Sequence, residues 1–316
     1  MKILHDFKDL KKLPEIHMHP VRPKVHCPID NEDFKSSLSQ VLNTDLPEER
    51  REWIDEMCNR GPFDIPRFSM DELRFALRRM RRGRCSDSAG VTLEMFLYCG
   101  DGLLQAMLGC LNSMLHTGVL PSDWQETLFV MLPKGGSKRD VKNWRPIAIL
   151  RIPYKIFARL LFQRLQPKLE KSQCSDQCGF RPGKSVDDAF IVLEELCCKS
   201  CEWGQSLWVV SLDLTKAFDR IEHPLLFNAL DEQGVPAEYA RLLSDIYHNQ
   251  RGSVNGSGLF EITRGVKQGD VLSSLLFNCG LEHAVRRFQD RVCGSGIGAG
   301  GPTRLTNIRY AGEWPL

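Results

Sequence analysis

Apolar residues recur at spacings of three and four over much of this chain, which is the period of an amphipathic helix. The segment near 69–82 carries the clearest boundary signals. Ser69 followed by Glu72 is a capping-box pattern, and Gly83 suits a helix end. By the same pattern we predict helices near 32–43, 47–59, 69–82, 101–117, 154–170, 185–203, 224–234, 236–249 and 269–292.

Shorter apolar runs bounded by turn residues predict strands. A pair Asn255–Gly256 between two such runs is typical of a β-hairpin. The predicted strands lie at 126–133, 145–150, 205–214, 252–266 (as a hairpin) and 303–311. Because helices come first and strands are then mixed with long helices, the order predicts an α+β fold with an antiparallel sheet.

One predicted strand carries a charge. Val209, Val210, Leu212 and Leu214 read as a buried strand, and Asp213 interrupts them. A carboxylate at the end of a buried strand is costly unless its charge is compensated. Asp213 is therefore a candidate functional residue.

Composition limits the class of protein. The 316 residues are 42% hydrophobic, carry a net charge of +2 and include 12 cysteines. No apolar run approaches the ~18 residues of a membrane span, and the first residues lack the apolar core of a secretory signal. Irregularly spaced cysteines fit free thiols in a reducing compartment. We therefore expect an intracellular protein, cytoplasmic or nuclear, that is not secreted and has no membrane partner.

Positive charge is concentrated in two places. Such clusters are candidate phosphate contacts, although a solvated helix face remains an alternative. The first cluster comprises Arg74, Arg78, Arg79, Arg81, Arg82 and Arg84; the second comprises Lys134, Lys138, Arg139, Lys142 and Arg145.

Several motifs follow one another in a specific order: "LPKGG", "NWRPIAIL", "QCGFRPGKS", "VVSLDLTKAFDRI", "TRGVKQGDVLSSLLFN" and "IRYA". From about Phe68 to Ala311 this series resembles the reverse transcriptases of non-LTR (LINE-type) retrotransposons. The resemblance implies a right-hand polymerase with fingers and palm and an antiparallel palm sheet flanked by helices; we expect the thumb to be absent from this chain. The expected divisions are an N-terminal arm with helices (1–67), a fingers-like region (68–205) and an incomplete palm (206–316).

The resemblance implies a role for the charged strand. Asp213 matches the catalytic aspartate that binds two Mg²⁺ ions, with the backbone carbonyl of Leu214 as a further metal ligand. Phe218 matches the aromatic residue against the sugar of the incoming nucleotide, although a core aromatic is the alternative. Asp219 is better interpreted as a helix-cap residue.

Other matched positions are expected to bind substrates. Lys134 and Arg145 match the residues that grip the triphosphate. Gln268 and Gly269 match the pair under the nucleotide and template. Template or phosphate contacts are expected from Arg78, Arg82, Arg181 and Lys184.

The chain also departs from the family pattern. Asp270 follows Gly269 where a small or apolar residue is usual, which adds negative charge beside the expected site. The loop at 83–90 also differs from the usual glycine-aspartate loop. Where the family has Tyr-Ala-Asp-Asp, this chain has Tyr310, Ala311, Gly312 and Glu313, so both aspartates are replaced.

Glu313 is a doubtful second metal ligand, since metal sites tolerate little displacement. The resemblance thus implies an RNA-directed DNA polymerase with Mg²⁺ as cofactor, and RNA template, DNA primer and deoxynucleoside triphosphates as partners. We expect this chain to be catalytically defective. The alternative is a nucleic-acid-binding remnant without catalysis, and the sequence leaves the oligomeric state open.

Overall fold

The structure, a computed structural model, describes residues 27–43, 64–247, 250–255, 257–292, 296–298 and 304–310. Helices predominate within these ranges. They run over Asn31–Leu42 (α1), Met70–Arg79 (α2), Leu93–Leu97 (α3), Asp101–Thr117 (α4), Ile152–Ser172 (α5), Val186–Glu202 (α6), Ala217–Arg220 (α7), His223–Glu232 (α8), Ala237–Tyr247 (α9) and Val271–Arg291 (α10). The strands are Glu126–Pro133 (β1), Trp144–Ile149 (β2), Gln250–Val254 (β3), Phe260–Ile262 (β4), Ile297–Gly298 (β5) and Arg304–Leu305 (β6).

Local capping signals position the helices. In α2 the Ser69 hydroxyl accepts the Glu72 N–H at 3.1 Å, and the Glu72 carboxylate accepts the Ser69 N–H at 2.8 Å, so the capping box is confirmed. The helix ends at Arg79, earlier than predicted, and Gly83 follows with φ of 67°. The helix predicted at 47–59 lies outside the described residues.

The main sheet has the order β2-β1-β3-β4. β1 and β2 form the predicted antiparallel hairpin, as do β3 and β4. The expectation of an antiparallel sheet is wrong at the centre, however, because β1 and β3 are parallel, with Glu126 opposite Arg251. Parallel neighbours require a long crossover, and here that crossover contains α5 to α9.

The strand predicted at 205–214 is not formed. The segment has no regular secondary structure, and its apolar residues are exposed, Trp208 by 91% and Leu212 by 85%. A strand needs a partner for its backbone N–H and C=O groups, and no strand within the described residues pairs with this segment. The β-forming composition alone was therefore not sufficient.

The strand predicted at 303–311 is formed only in part. Arg304–Leu305 pairs with Ile297–Gly298, and Arg309 forms an isolated bridge with Gln177. The rest of the described stretch lies in extended or irregular backbone.

One hydrophobic core includes residues of the sheet and of the long helix α5, which packs against α2 and α10. Tyr154, Phe157 and Leu161 of α5 are almost completely buried. Strands from both sides of the predicted 205/206 division share the main sheet. The proposed divisions of the chain remain predictions. Within the described ranges no helix has both the length and the apolar character needed to cross a membrane.

Candidate nucleotide and nucleic-acid site

The β1–β2 hairpin brings its two predicted phosphate-binding residues to one face. Leu132 lies opposite Arg145, and the Lys134 N–H donates to the Asn143 carbonyl at 2.6 Å, so the pairing continues past β1. Residues two positions apart on a strand share a face. Lys134 and Arg145 are therefore diagonal neighbours on the same face, within reach of one bound group.

The Gln268–Gly269 turn lies against the outer edge of this hairpin. The Ala148 N–H of β2 donates to the Gln268 carbonyl at 3.3 Å. Gly269 has φ of 101°, and a Cβ placed there would lie 3.4 Å from the Ala148 carbonyl oxygen. The positive φ explains why glycine is needed at this position.

Phe218 is connected to the same turn. Its carbonyl accepts the Val266 N–H at 2.8 Å, two residues before Gln268. Its ring stacks on Phe277 with centroids 4.6 Å apart and meets Phe180 edge-on at 5.8 Å. Phe218 thus lies at the margin of the core, which is compatible with both of its interpretations.

The sequence suggested that Asp270 adds negative charge beside the turn, but its side chain does not lie at the surface. It is buried, and the Tyr154 hydroxyl donates to its Oδ2 at 2.6 Å. Its Oδ1 caps α10 by accepting the Leu272 N–H at 3.3 Å. The carboxylate points into the core because α5 supplies this phenolic partner.

The described residues show no site formed by the predicted metal ligands. Asp213 and Leu214 are exposed on the irregular segment, and Glu313 lies outside the described residues. In the described part of the chain, no three His, Cys, Asp or Glu side chains come close enough to hold a metal ion. Asp219 is buried inside α7, and the N-cap of the next helix, α8, is Glu222, so the interpretation of Asp219 as the cap residue is wrong.

The predicted template contacts fall into two groups. Arg78, Arg82 and Lys184 are exposed. Arg181 instead forms an ion pair with Glu170 at 2.6 Å and donates to the carbonyls of Cys174 and Gln177. Because the guanidinium nitrogens already donate to these groups, Arg181 is poorly placed to bind a phosphate as well.

Arg159 is a partly buried basic residue that was not among the candidates predicted from the sequence. This residue of α5 stacks on Phe162 at 5.0 Å, and its Nε is buried without a hydrogen-bond partner among the described residues. Burial lowers the pKa of Arg159, and the nearby positive charge of Arg79 lowers it further. Because α5 reads as a mostly apolar helix, the sequence alone gave no signal for this basic pair.

The divergent loop at 83–90 is held by Asp87. Its Oδ1 accepts the N–H groups of Ala89 at 2.9 Å and Val91 at 3.0 Å, and its Oδ2 accepts the Ile152 N–H at 2.9 Å. Burial alone would raise the pKa of Asp87, but these three donors lower it overall. Asp87 therefore joins the loop to the start of α5.

The hairpin, the glycine turn and the aromatic residue beside it are the parts of the chain that resemble a polymerase of the reverse transcriptase class. A family model described as reverse transcriptase (RNA-dependent DNA polymerase) matches residues 132–311. The chain belongs to this family.

The relatives refine the assignment. The chain is 30% identical to the transposon TX1 uncharacterized 149 kDa protein of Xenopus laevis, over 72% of this chain and 18% of that protein. It is 28% identical to the Pol polyprotein from the retrotransposable element R2DM of Drosophila melanogaster, over 59% and 18% respectively. It is 29% identical to the RNA-directed DNA polymerase from the Drosophila mobile element jockey, over 56% and 20%. The chain therefore carries the reverse transcriptase domain of a LINE-type retrotransposon, and it matches about a fifth of the length of these relatives.

Proposed function

We propose that this chain binds a DNA primer on an RNA template, together with a deoxynucleoside triphosphate, as the domain of an RNA-directed DNA polymerase. The supporting observation is the backbone bond between Ala148 and Gln268. It connects the Lys134–Arg145 hairpin to the Gln268–Gly269 turn. The hairpin and the turn, which by resemblance both bind the incoming nucleotide, are therefore neighbours.

Each residue has a role that suits its chemistry. The forked guanidinium of Arg145 and the flexible ammonium of Lys134 bind and orient the triphosphate. Gln268 and Gly269 lie under the nucleotide and the template, and Phe218 bounds the sugar. In polymerases of this kind Mg²⁺ activates the primer 3′-oxygen and stabilises the leaving phosphate. The described residues form no metal site, so the roles proposed for them are binding and orienting.

We further propose that the chain does not extend primers. Gly312 and Glu313 stand where the family has two aspartates, and glycine supplies no carboxylate to share a metal with Asp213. Primer extension with purified chain and Mg²⁺ tests this directly. We expect no product. Extension that is lost in Asp213→Ala would contradict the proposal.

The second candidate function is nucleic-acid binding without catalysis, which the exposed basic residues Arg78, Arg82 and Lys134 favour. Binding of a labelled RNA–DNA hybrid should weaken with salt, and replacing all three residues by glutamine should reduce the log–log salt slope by about 3. Arg74→Gln is the control for Arg78→Gln, because Arg74 lies on the same helix but its guanidinium pairs with Asp101 at 2.8 Å, and it should change the slope less. Absence of hybrid binding at low salt would contradict both candidate functions.

A further inference from the structure

A buried pair of opposite charges lies beneath the Gln268–Gly269 turn. Lys267 and Asp270, the residues on either side of the turn, are both buried. The Lys267 ammonium donates to the Trp124 carbonyl at 3.2 Å and lies 4.5 Å from the centre of the Tyr154 ring. The hydroxyl of the same Tyr154 donates to Asp270. One tyrosine of α5 therefore contacts both charged side chains.

The backbone of the turn is fixed by the same residues. The Asp270 N–H donates to the Lys267 carbonyl at 3.0 Å and closes the turn. The Ser273 hydroxyl donates to that carbonyl at 2.6 Å. Of the four residues 267–270, Gln268 and Gly269 are the two that are not buried, and they face the edge of β2. The buried side chains thus act as two anchors, one on each side of the predicted substrate contact.

Burying a charged pair in a core costs free energy, because both groups lose their hydration. Burial raises the pKa of Asp270 and lowers the pKa of Lys267 to about 8, although each charge partly stabilises the other. Apolar residues of similar volume are often neutral or stabilising in such positions. Stability alone therefore does not account for this pair.

We propose that Lys267 and Asp270 are positioning residues that hold the Gln268–Gly269 turn against β2 in the geometry that contacts the template–primer. This inference rests on the proposed function, because it takes the turn as a nucleic-acid contact. The charged pair acts through the turn and does not itself contact the substrate.

The test measures affinity and stability separately. An RNA–DNA hybrid is titrated by fluorescence anisotropy at pH 7 against wild type, Lys267→Met, Asp270→Asn and the double variant. Lys171→Met, an exposed lysine at the end of α5, controls for lost surface charge. Each single variant should weaken binding about tenfold. The double variant leaves no lone buried charge and should regain its melting temperature, but it should not regain its affinity.

A pH series provides a signature that a structural role would not produce. The pKa of Lys267 is about 8 in the folded chain against 10.5 ordinarily, so the unfolded state binds more protons between these values. The stability of wild type relative to Lys267→Met should therefore rise with pH in this window. Affinity should fall over the same range, because the charged pair is lost. Lys267→Met keeps every other titrating group of the chain and therefore supplies the baseline for both measurements.

The tyrosines near Lys267 stay protonated in the folded chain over this window. The pKa values of Tyr154 and Tyr247, which both face Asp270, lie well above the ordinary value because of burial. His223 packs on the far side of Tyr247, with ring centres 5.4 Å apart. Lys267 is thus the group whose charge changes next to Asp270.

The outcomes are distinguishable. If wild type binds the hybrid and Lys267→Met binds equally well, the inference is wrong while the proposed function stands. The inference is also wrong if affinity follows melting temperature in every variant. If wild type does not bind the hybrid at all, the proposed function fails and the inference fails with it.

Discussion

Arg309 is the residue whose replacement should be most damaging to stability. Its guanidinium forms ion pairs with Asp176 at 2.6 Å and Glu282 at 2.8 Å. The exposed fractions of these two carboxylate side chains are only 7% and 0%. The Arg309 backbone also donates to the Asp176 carbonyl and accepts the Cys178 N–H, both at 2.8 Å. Arg309→Met therefore removes the charge partner but keeps the apolar part of the side chain.

The expected magnitude follows from burial. Removing one partner of a buried ion pair leaves an uncompensated charge and costs about 3–5 kcal/mol. Arg286 provides a matched control, because it pairs with the same carboxylate, Glu282, at 2.9 Å. The Arg286 side chain is 39% exposed, so water compensates for its loss. Arg286→Met should therefore cost no more than about 1 kcal/mol.

The same site predicts an acid dependence. Burial alone would raise the pKa of Glu282, but the Cys174 thiol, Arg309 and Arg286 together lower it below its ordinary 4.5. A lowered carboxylate pKa contributes stability that is fully present above the unfolded value and lost as pH falls through the folded value. The difference in stability between wild type and Glu282→Gln should thus be constant at neutral pH and shrink below about pH 4.5.

Urea unfolding followed by circular dichroism at pH 7 measures these free energies. The reasoning requires Arg309→Met to be destabilised by several times as much as Arg286→Met. Equal losses for the two variants, or a loss of about 1 kcal/mol or less for Arg309→Met, would refute it, because the buried carboxylates would then not depend on Arg309.

Two further predictions concern local packing. Asp87→Ala leaves three backbone N–H groups without their acceptor and should cost about 1–3 kcal/mol in urea unfolding; an unchanged midpoint would show that the loop at 83–90 is not held by this side chain. Gly252→Ala places a Cβ 2.6 Å from the Phe260 ring and 2.9 Å from the Phe129 ring. Overpacking should lower stability by about 1–3 kcal/mol, visible as a lower melting temperature, and a melt like that of wild type would mean that both rings can move aside.

Elements with local signals were predicted well. The capping box at Ser69 marks a true helix start, and the turn at Asn255 joins β3 to β4. These features depend on residues within a few positions, which the sequence displays directly.

Features that depend on distant residues were not predictable. The segment at 205–214 has the composition of a strand, but composition does not supply a partner. The parallel pairing of β1 with β3 likewise depends on residues far apart in the chain. The site was accessible to the sequence only in part: Gln268 and Asp270 were singled out by the family pattern, whereas the joint contact of Lys267 and Asp270 with Tyr154 became visible only in the structure.

The parallel pairing at the centre of the sheet also affects how the chain folds during synthesis. Glu126 and Arg251, which face each other across β1 and β3, are 125 positions apart. At ~5–20 residues per second, a ribosome needs about 6–25 s to make that interval. The contacts of helix α1 are completed later still, because the Leu42 carbonyl accepts the N–H groups of Thr263 and Arg264. Until then the β1–β2 hairpin has an unpaired edge, so the nascent chain should depend on chaperones over this interval.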